Sequence, residues 1–288
     1  MKTGRLGGLT IALLCASFFY CVPGCSGEAW REAKSDHFVV YFLDSDVFAR
    51  GLLGEAENFY LRIASDIGYG RYTDFWSWEK RAKIYIYPDQ PSYIKATKKP
   101  EWTRGFANLK GRQIVSYEES AFFTEEVLPH EMAHLIFRDF VGQGRGVPFW
   151  IDEGIAQWEG SVDRSKISAI AKTFYDNDLL FALSDLTQLD IYKIGDIDQL
   201  FIRSMRTREG KETVGFLSTK ALISAFYAQS ASLVGFMIKR YGSDDFAYFC
   251  RELSYGKSID DALRSAYPYY FQSLDDLETR WRDHLGKL

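Results

Sequence analysis

The alternation of apolar and polar positions divides the chain into halves of different character. His37-Phe38-Val39-Val40-Tyr41-Phe42 is β-branched and aromatic, as a half-buried strand is. From Asp46 to Ile67 the apolar positions Leu52, Leu53, Ala56, Phe59, Tyr60 and Ile63 recur at helical spacing, and Gly68-Tyr69-Gly70 closes the segment. Lys83-Ile84-Tyr85-Ile86-Tyr87 alternates strictly, Pro88-Asp89-Gln90-Pro91 breaks it, and a short helix is expected over Ser92 to Thr97. Residues Trp30 to about Tyr87 therefore read strand, helix, strand. Gly105 to Leu109 and Arg112 to Tyr117 flank Lys110-Gly111 and read as a hairpin. Such a hairpin either lies inside the sheet or offers a free edge to an extended peptide. The aromatic turn Asp74-Phe75-Trp76-Ser77-Trp78 is expected to pack over the sheet edge, with a substrate rim as the alternative.

The next pattern is an apolar helix from about Ala121 to Phe140. Glu118, Glu119, Glu125 and Glu126 stand at its start, where acids complement the helix dipole. Gly142 to Gly146 reads as a flexible link, and Pro148 suits the first turn of a second helix. After Gly160 helical patterns dominate. Phe216 to Tyr241 forms a long one ended by Gly242, and Asp244 to Leu253 and Ser273 to Leu288 form two amphipathic ones. The charge run Arg206 to Glu212 reads as a solvated loop.

At 288 residues and 47% apolar content the chain can bury one large core or two lobes of one domain. A net charge of −4 supplies no basic surface for nucleic acid. The beginning changes the picture more. Met1 to Arg5 is basic, Leu6 to Val22 is nearly uncharged and apolar, and polar sequence starts at Ser26 after Val22-Pro23-Gly24-Cys25. Residues 1–24 thus read as a signal peptide of bacterial lipoprotein type, with Cys25 as the lipidated residue and a membrane as the partner it would engage. Pro23 is unusual at its position. A secretory signal cut near Gly27 and an uncleaved anchor helix are the alternatives. Processing at Cys25 would leave one other cysteine, Cys250, expected as a small buried residue on a helix.

Against so few histidines, four in all, the stretch His130-Glu131-Met132-Ala133-His134 stands out. Residues four apart share one helix face, so both imidazoles reach one ion. Glu131 stands about 100° round the helix and faces the mouth of such a site without being a ligand. This is the HExxH arrangement of two metal ligands and a general base. The flanking apolar residues indicate a buried helix, where a histidine pair without partners is costly. His37 and His284 lie in other patterns and read as structural and surface residues. A catalytic zinc commonly has three protein ligands. Glu153, in Trp150-Ile151-Asp152-Glu153-Gly154-Ile155-Ala156, is the next candidate: the 18 residues between it and His134 leave room for a turn and a second helix. Small Gly154 and Ala156 would let that helix approach the first closely. Asp152 would point elsewhere, as a cap or dipole partner.

His130 to His134, taken with Pro148 to Ala156, resembles the gluzincin metallopeptidases, the peptidase MA-like group, which combine HExxH with a downstream glutamate in a Trp-x-x-Glu-Gly-x-Ala setting. The likeness extends through Tyr227 to Val234 and Arg240-Tyr241-Gly242, and so covers roughly Phe38 to Trp281. It implies an α+β, zincin-like domain over residues 28–288. A lobe over 28–141 would hold a small mixed sheet and the HExxH helix, a mainly helical lobe over 142–288, and the zinc cleft would lie between them. It further implies one Zn2+ on His130, His134 and Glu153, Glu131 as general base, and hydrolysis of peptide or protein substrates. A tyrosine or histidine beyond the third ligand would bind the oxyanion, for which Tyr227 is the choice. Many members place an acid four residues after the third ligand. Here that position is Gln157, and either Asp139 or Asp152 would have to orient a ligating histidine instead. A metal-binding envelope scaffold without activity is the competing expectation.

Overall fold

The computed structural model describes residues 29–69, 76, 78–101, 103–118, 122–142, 146–161, 163–193, 200–206 and 212–288. The signal segment and Cys25, most of the turn at 74–77, and residues 207–211 of the charge run lie outside them.

The fold is α+β. A five-stranded mixed sheet in the order β1-β2-β3-β5-β4 is built from β1 (Arg31–Lys34), β2 (Phe38–Phe42), β3 (Ala82–Tyr87), β4 (Gly105–Asn108) and β5 (Gln113–Tyr117). β2, β3 and β5 run parallel, and the two edge strands run antiparallel to their neighbours. The helix α1 (Asp46–Asp66) makes the crossover between β2 and β3. It packs Leu52, Ala56, Tyr60 and Ile63 on the sheet face that carries Phe38, Val40, Ile84 and Ile86. Its start is capped by Ser45, whose hydroxyl accepts from the Phe48 N–H at 3.1 Å. On the opposite sheet face α2 (Gln90–Thr97) lays Tyr93 over Tyr87 and Tyr117.

β1 is absent from the sequence reading because Arg31-Glu32-Ala33-Lys34 buries only Ala33. An edge strand of charged residues gives no apolar alternation. Trp76 is 1% exposed, packed edge-on against Phe38 of β2, and donates its indole N–H to Asp139 at 2.7 Å. His37 has the structural place expected of it. Its backbone N–H and its Nδ1 meet the two Glu57 carboxylate oxygens at 2.9 and 2.6 Å, and its ring stacks on Tyr60.

The long helix expected from Ala121 begins instead at Leu128. A single wide π-helical turn, Phe123–Val127, leads into α3 (Leu128–Val141). Pro129 explains the shift. It has no N–H, and its ring would meet the carbonyl four residues earlier, so the α-ladder can start only with Pro129 in its first turn. α4 (Phe149–Glu159) follows, then α5 (Arg164–Asp176) and α6 (Leu183–Gln188). The chain next forms an antiparallel pair, β6 (Leu200–Arg206) and β7 (Glu212–Ser218), where helical pattern and a solvated loop over Arg206 to Glu212 were expected. Phe216 to Ser218 therefore belongs to a strand. The helix α7 starts at Thr219, with the Ser218 hydroxyl accepting from the Ala221 N–H at 3.2 Å. α8 (Ser243–Ser254), α9 (Ile259–Ala266) and α10 (Leu274–Gly286) complete the chain, α9 being the one not foreseen. Cys250 is buried on α8 and His284 is exposed on α10.

α7 (Thr219–Tyr241) is long and apolar enough to cross a membrane, but 83% of its apolar window is buried inside the fold, as in a core helix. Its polar residues serve the interior. Gln229 exchanges hydrogen bonds with the Phe181 backbone at 2.7 Å each way, and the Ser232 hydroxyl receives the Trp281 indole N–H. α4 lies along α7, and Gly154 is what permits it. A Cβ there would stand 2.6 Å from the Ser230 carbonyl oxygen and 2.8 Å from a Val234 methyl. The small residue therefore serves α7, not the approach to α3 expected of it.

Two stability measurements follow. Gly154→Ala forces α4 off α7 and should cost about 1–3 kcal/mol in urea denaturation, as overpacking does; an unchanged midpoint would contradict the contact. Burial pushes the Glu57 carboxyl up, but the hydrogen bonds from the His37 backbone and ring oppose it, and the group is held below its usual 4.5. A depressed carboxylate stabilises the fold above the unfolded value and loses that contribution as pH falls through the folded one. Glu57→Gln should thus cost about 1 kcal/mol at pH 7, and its gap from the parent protein should narrow as pH falls below the usual carboxylate range. A gap independent of pH would count against the pair.

Candidate metal centre

α3 and α4 run antiparallel, so ascending positions on one meet descending positions on the other. His130 lies by Ala156 and Gly160, and His134 lies by Asp152 and Glu153. Gly160 makes the crossing possible, because a Cβ there would stand 2.9 Å from the His130 Cβ and 3.0 Å from the Glu126 carbonyl oxygen. The structure brings His130, His134 and Glu153 together as expected, with one donor atom from each lying within 4.8 Å of the others. The two Nε2 atoms are 3.3 Å apart, and His134 Nε2 is 3.7 Å from Glu153 Oε1.

The 3.3 Å between the two Nε2 atoms and the chemistry of this donor set fit a transition-metal ion, with the Glu153 oxygen standing wider at 3.7 Å from His134. Two donors each about 2.05 Å from a common tetrahedral centre stand about 3.3 Å apart, and two imidazoles with a carboxylate form a set that zinc accepts. The identity of the ion is not fixed by the geometry.

The residues behind the donors hold them in place. His134 Nδ1 donates to Asp152 Oδ1 at 2.9 Å, which turns Nε2 toward His130 and Glu153. Asp152 is held in turn by Arg138, whose Nε is 2.7 Å from Oδ2. Asp152 therefore does not cap α4 but supports a ligand, and it fills the role left open by Gln157. Asp139 is engaged elsewhere, by Trp76 and Arg112. The His130 ring bonds to the Ala156 backbone carbonyl. Sequence reasoning missed Arg138 and the Ala156 carbonyl. Arg138 stands four residues after His134 and shares its helix face, which was the available signal.

Electrostatics follow from burial. Burial, with the charge of His134 beside it, holds His130 well below the usual histidine range. Burial also opposes a charge on His134, but Asp152 and Glu153 outweigh it and push the group up to about 9. Asp152 would be raised by burial, yet His134 and Arg138 hold it below the usual carboxylate range. Glu131 is 2% exposed, and burial drives it up to about 7 against the pull of His134. One of its oxygens accepts the Ala107 N–H of β4, and Oε1 has no protein partner. A buried carboxyl poised near neutrality, with a free oxygen beside a donor cluster, can exchange a proton with a small polar molecule.

Tyr227 is buried on α7, with its ring edge-on to Phe226, three residues before the Ser230 carbonyl that meets Gly154. It thus belongs to the helix that backs the Glu153 segment. Neither the family models nor the curated proteins compared with this chain give a match.

Asp152→Asn keeps the shape and removes the charge that orients His134. Zinc affinity by competition titration should fall about 10- to 100-fold with the fold intact. An affinity equal to that of the parent protein would exclude the supporting role.

Proposed function

We propose that this chain is a zinc-dependent peptidase of gluzincin type. The observation that carries the reading is the convergence of His130, His134 and Glu153 beside a buried Glu131 that is not one of the donors. A purely structural metal site has no use for that fourth group. Bound to His130, His134 and Glu153, a zinc ion would act as a Lewis acid on a peptide carbonyl and lower the pKa of water. Glu131 takes the proton of the attacking water and returns it to the departing amine, a task suited to a carboxyl near neutrality. Asp152 and Arg138 keep His134 in the tautomer that presents Nε2. Tyr227 is our choice for the hydroxyl that donates to the developing oxyanion. β4 is an outer strand of the sheet and gives its Ala107 N–H to Glu131, so its free edge can pair with an extended peptide beside the acid. A lipid on Cys25 would hold this chemistry at the membrane of the cell envelope.

A peptide library incubated with and without chelator tests the activity. With zinc, parent protein should cleave, chelator should stop it, and re-addition should restore it. Glu131→Gln should retain about one zinc per chain while hydrolysis falls about 10²- to 10⁴-fold. Full turnover by that variant would sink the general-base assignment, and metal binding with no cleavage by the parent protein would favour an inactive scaffold.

A further inference from the structure

The segment from Lys95 to Arg112 contains Lys95, Lys98, Lys99, Arg104, Lys110 and Arg112 against a single acid, Glu101, in a chain of net charge −4. It spans the end of α2, all of β4 and the turn to β5, so positive charge concentrates in the sequence around the outer strand β4. Some of these cations are already engaged: Arg112 pairs with Asp139, and the Arg104 guanidinium lies over the Phe122 ring. Lys95, Lys98 and Lys110 are exposed.

Lys99 is half-buried, its Nζ lies 4.5 Å from the centre of the Phe106 ring, and no carboxylate pairs with it among the described residues. Phe106 and Ala107 are successive residues of β4 and face opposite sides of the sheet. Ala107 packs with the main core, while Phe106 joins the outer aromatic cluster where Lys99 lies. A peptide paired with the β4 edge would send alternate side chains to that same outer face.

We propose that Lys99 is a carboxylate receptor on the outer face of β4, so that the preferred ligands are extended peptides carrying a carboxylate on the Phe106 face of that strand. This rests on the peptidase reading and names a substrate class for it. The carboxylate comes either from an acidic side chain or from a peptide C-terminus. A cation already desolvated on one side by an aromatic ring, with no internal counter-charge, loses less on meeting a carboxylate than a fully solvated lysine does.

The test reads binding without turnover. Fluorescent peptides are prepared as pairs, Glu against Gln at each position and free C-terminal acid against amide, and titrated by anisotropy into zinc-loaded Glu131→Gln protein. One carboxylate should improve Kd about fivefold, the upper range for a pair near the surface, and its position identifies the source. The gain should shrink at high salt. Lys99→Met in the same background should bring that ratio to about one, and Lys99→Glu should invert it. Equal affinities within every pair, no binding of any carboxylate peptide, or a preference that survives Lys99→Met would each overturn the proposal. Absence of hydrolysis by the parent protein would refute the peptidase reading and leave this binding result standing.

Discussion

Pressing α3 and α4 together buries His130, Glu131, His134, Arg138, Asp152 and Glu153 against one another, and the fold must balance their charges. Burying an unpaired charge costs several kcal/mol, so their arrangement is constrained by electrostatics before chemistry enters. Without a metal, His134 supplies the missing positive charge by holding its proton up to about 9. With both imidazoles neutral and the acids ionised, three carboxylates face a single guanidinium. Two negative charges then remain, which a divalent cation cancels. The cluster is therefore tolerable in two states, and binding of a divalent ion there would exchange protons for metal.

The rest of the molecule fixes that contact. The sheet and α1 form the surface on which α3 is seated, and β4 reaches Glu131 from the open side through the Ala107 N–H. α7 backs α4 through Gly154, and a second close approach, Gly235 beneath the Trp158 ring, continues the same parallel packing. A clamp at the far end of α4 joins three helices. Arg62 of α1 and Arg164 of α5 both reach the buried Glu159 carboxylate, and Arg62 also donates to the Glu159 backbone carbonyl at 2.6 Å. The position of Glu153 is thus set by contacts along the whole of α4.

Much of this was legible in the sequence because it depends on local pattern. The strand at Phe38 to Phe42, the helix from Asp46, the hairpin about Lys110-Gly111 and the donors His130, His134 and Glu153 are all signalled by spacing or by residue type. What escaped depends on partners distant in sequence. Arg31 to Lys34 becomes a strand only because β2 offers it an edge. Leu200 to Arg206 and Glu212 to Ser218 become strands only by pairing with each other. Asp152 looked like a cap because its partner is 18 residues away on another helix, and Gly154 was assigned to the wrong neighbour for the same reason. The late start of α3, by contrast, could have been foreseen from Pro129 alone.

The central claim is that two imidazoles and one carboxylate share an ion between α3 and α4. X-ray absorption at the zinc edge of the loaded full chain tests it most directly. The account predicts one zinc per chain with two imidazole nitrogens at about 2.0–2.1 Å, the remaining shell oxygen and no sulfur, with one imidazole signature lost in His134→Ala. A shell of oxygen alone, a sulfur ligand, or a spectrum unchanged by that substitution would contradict it.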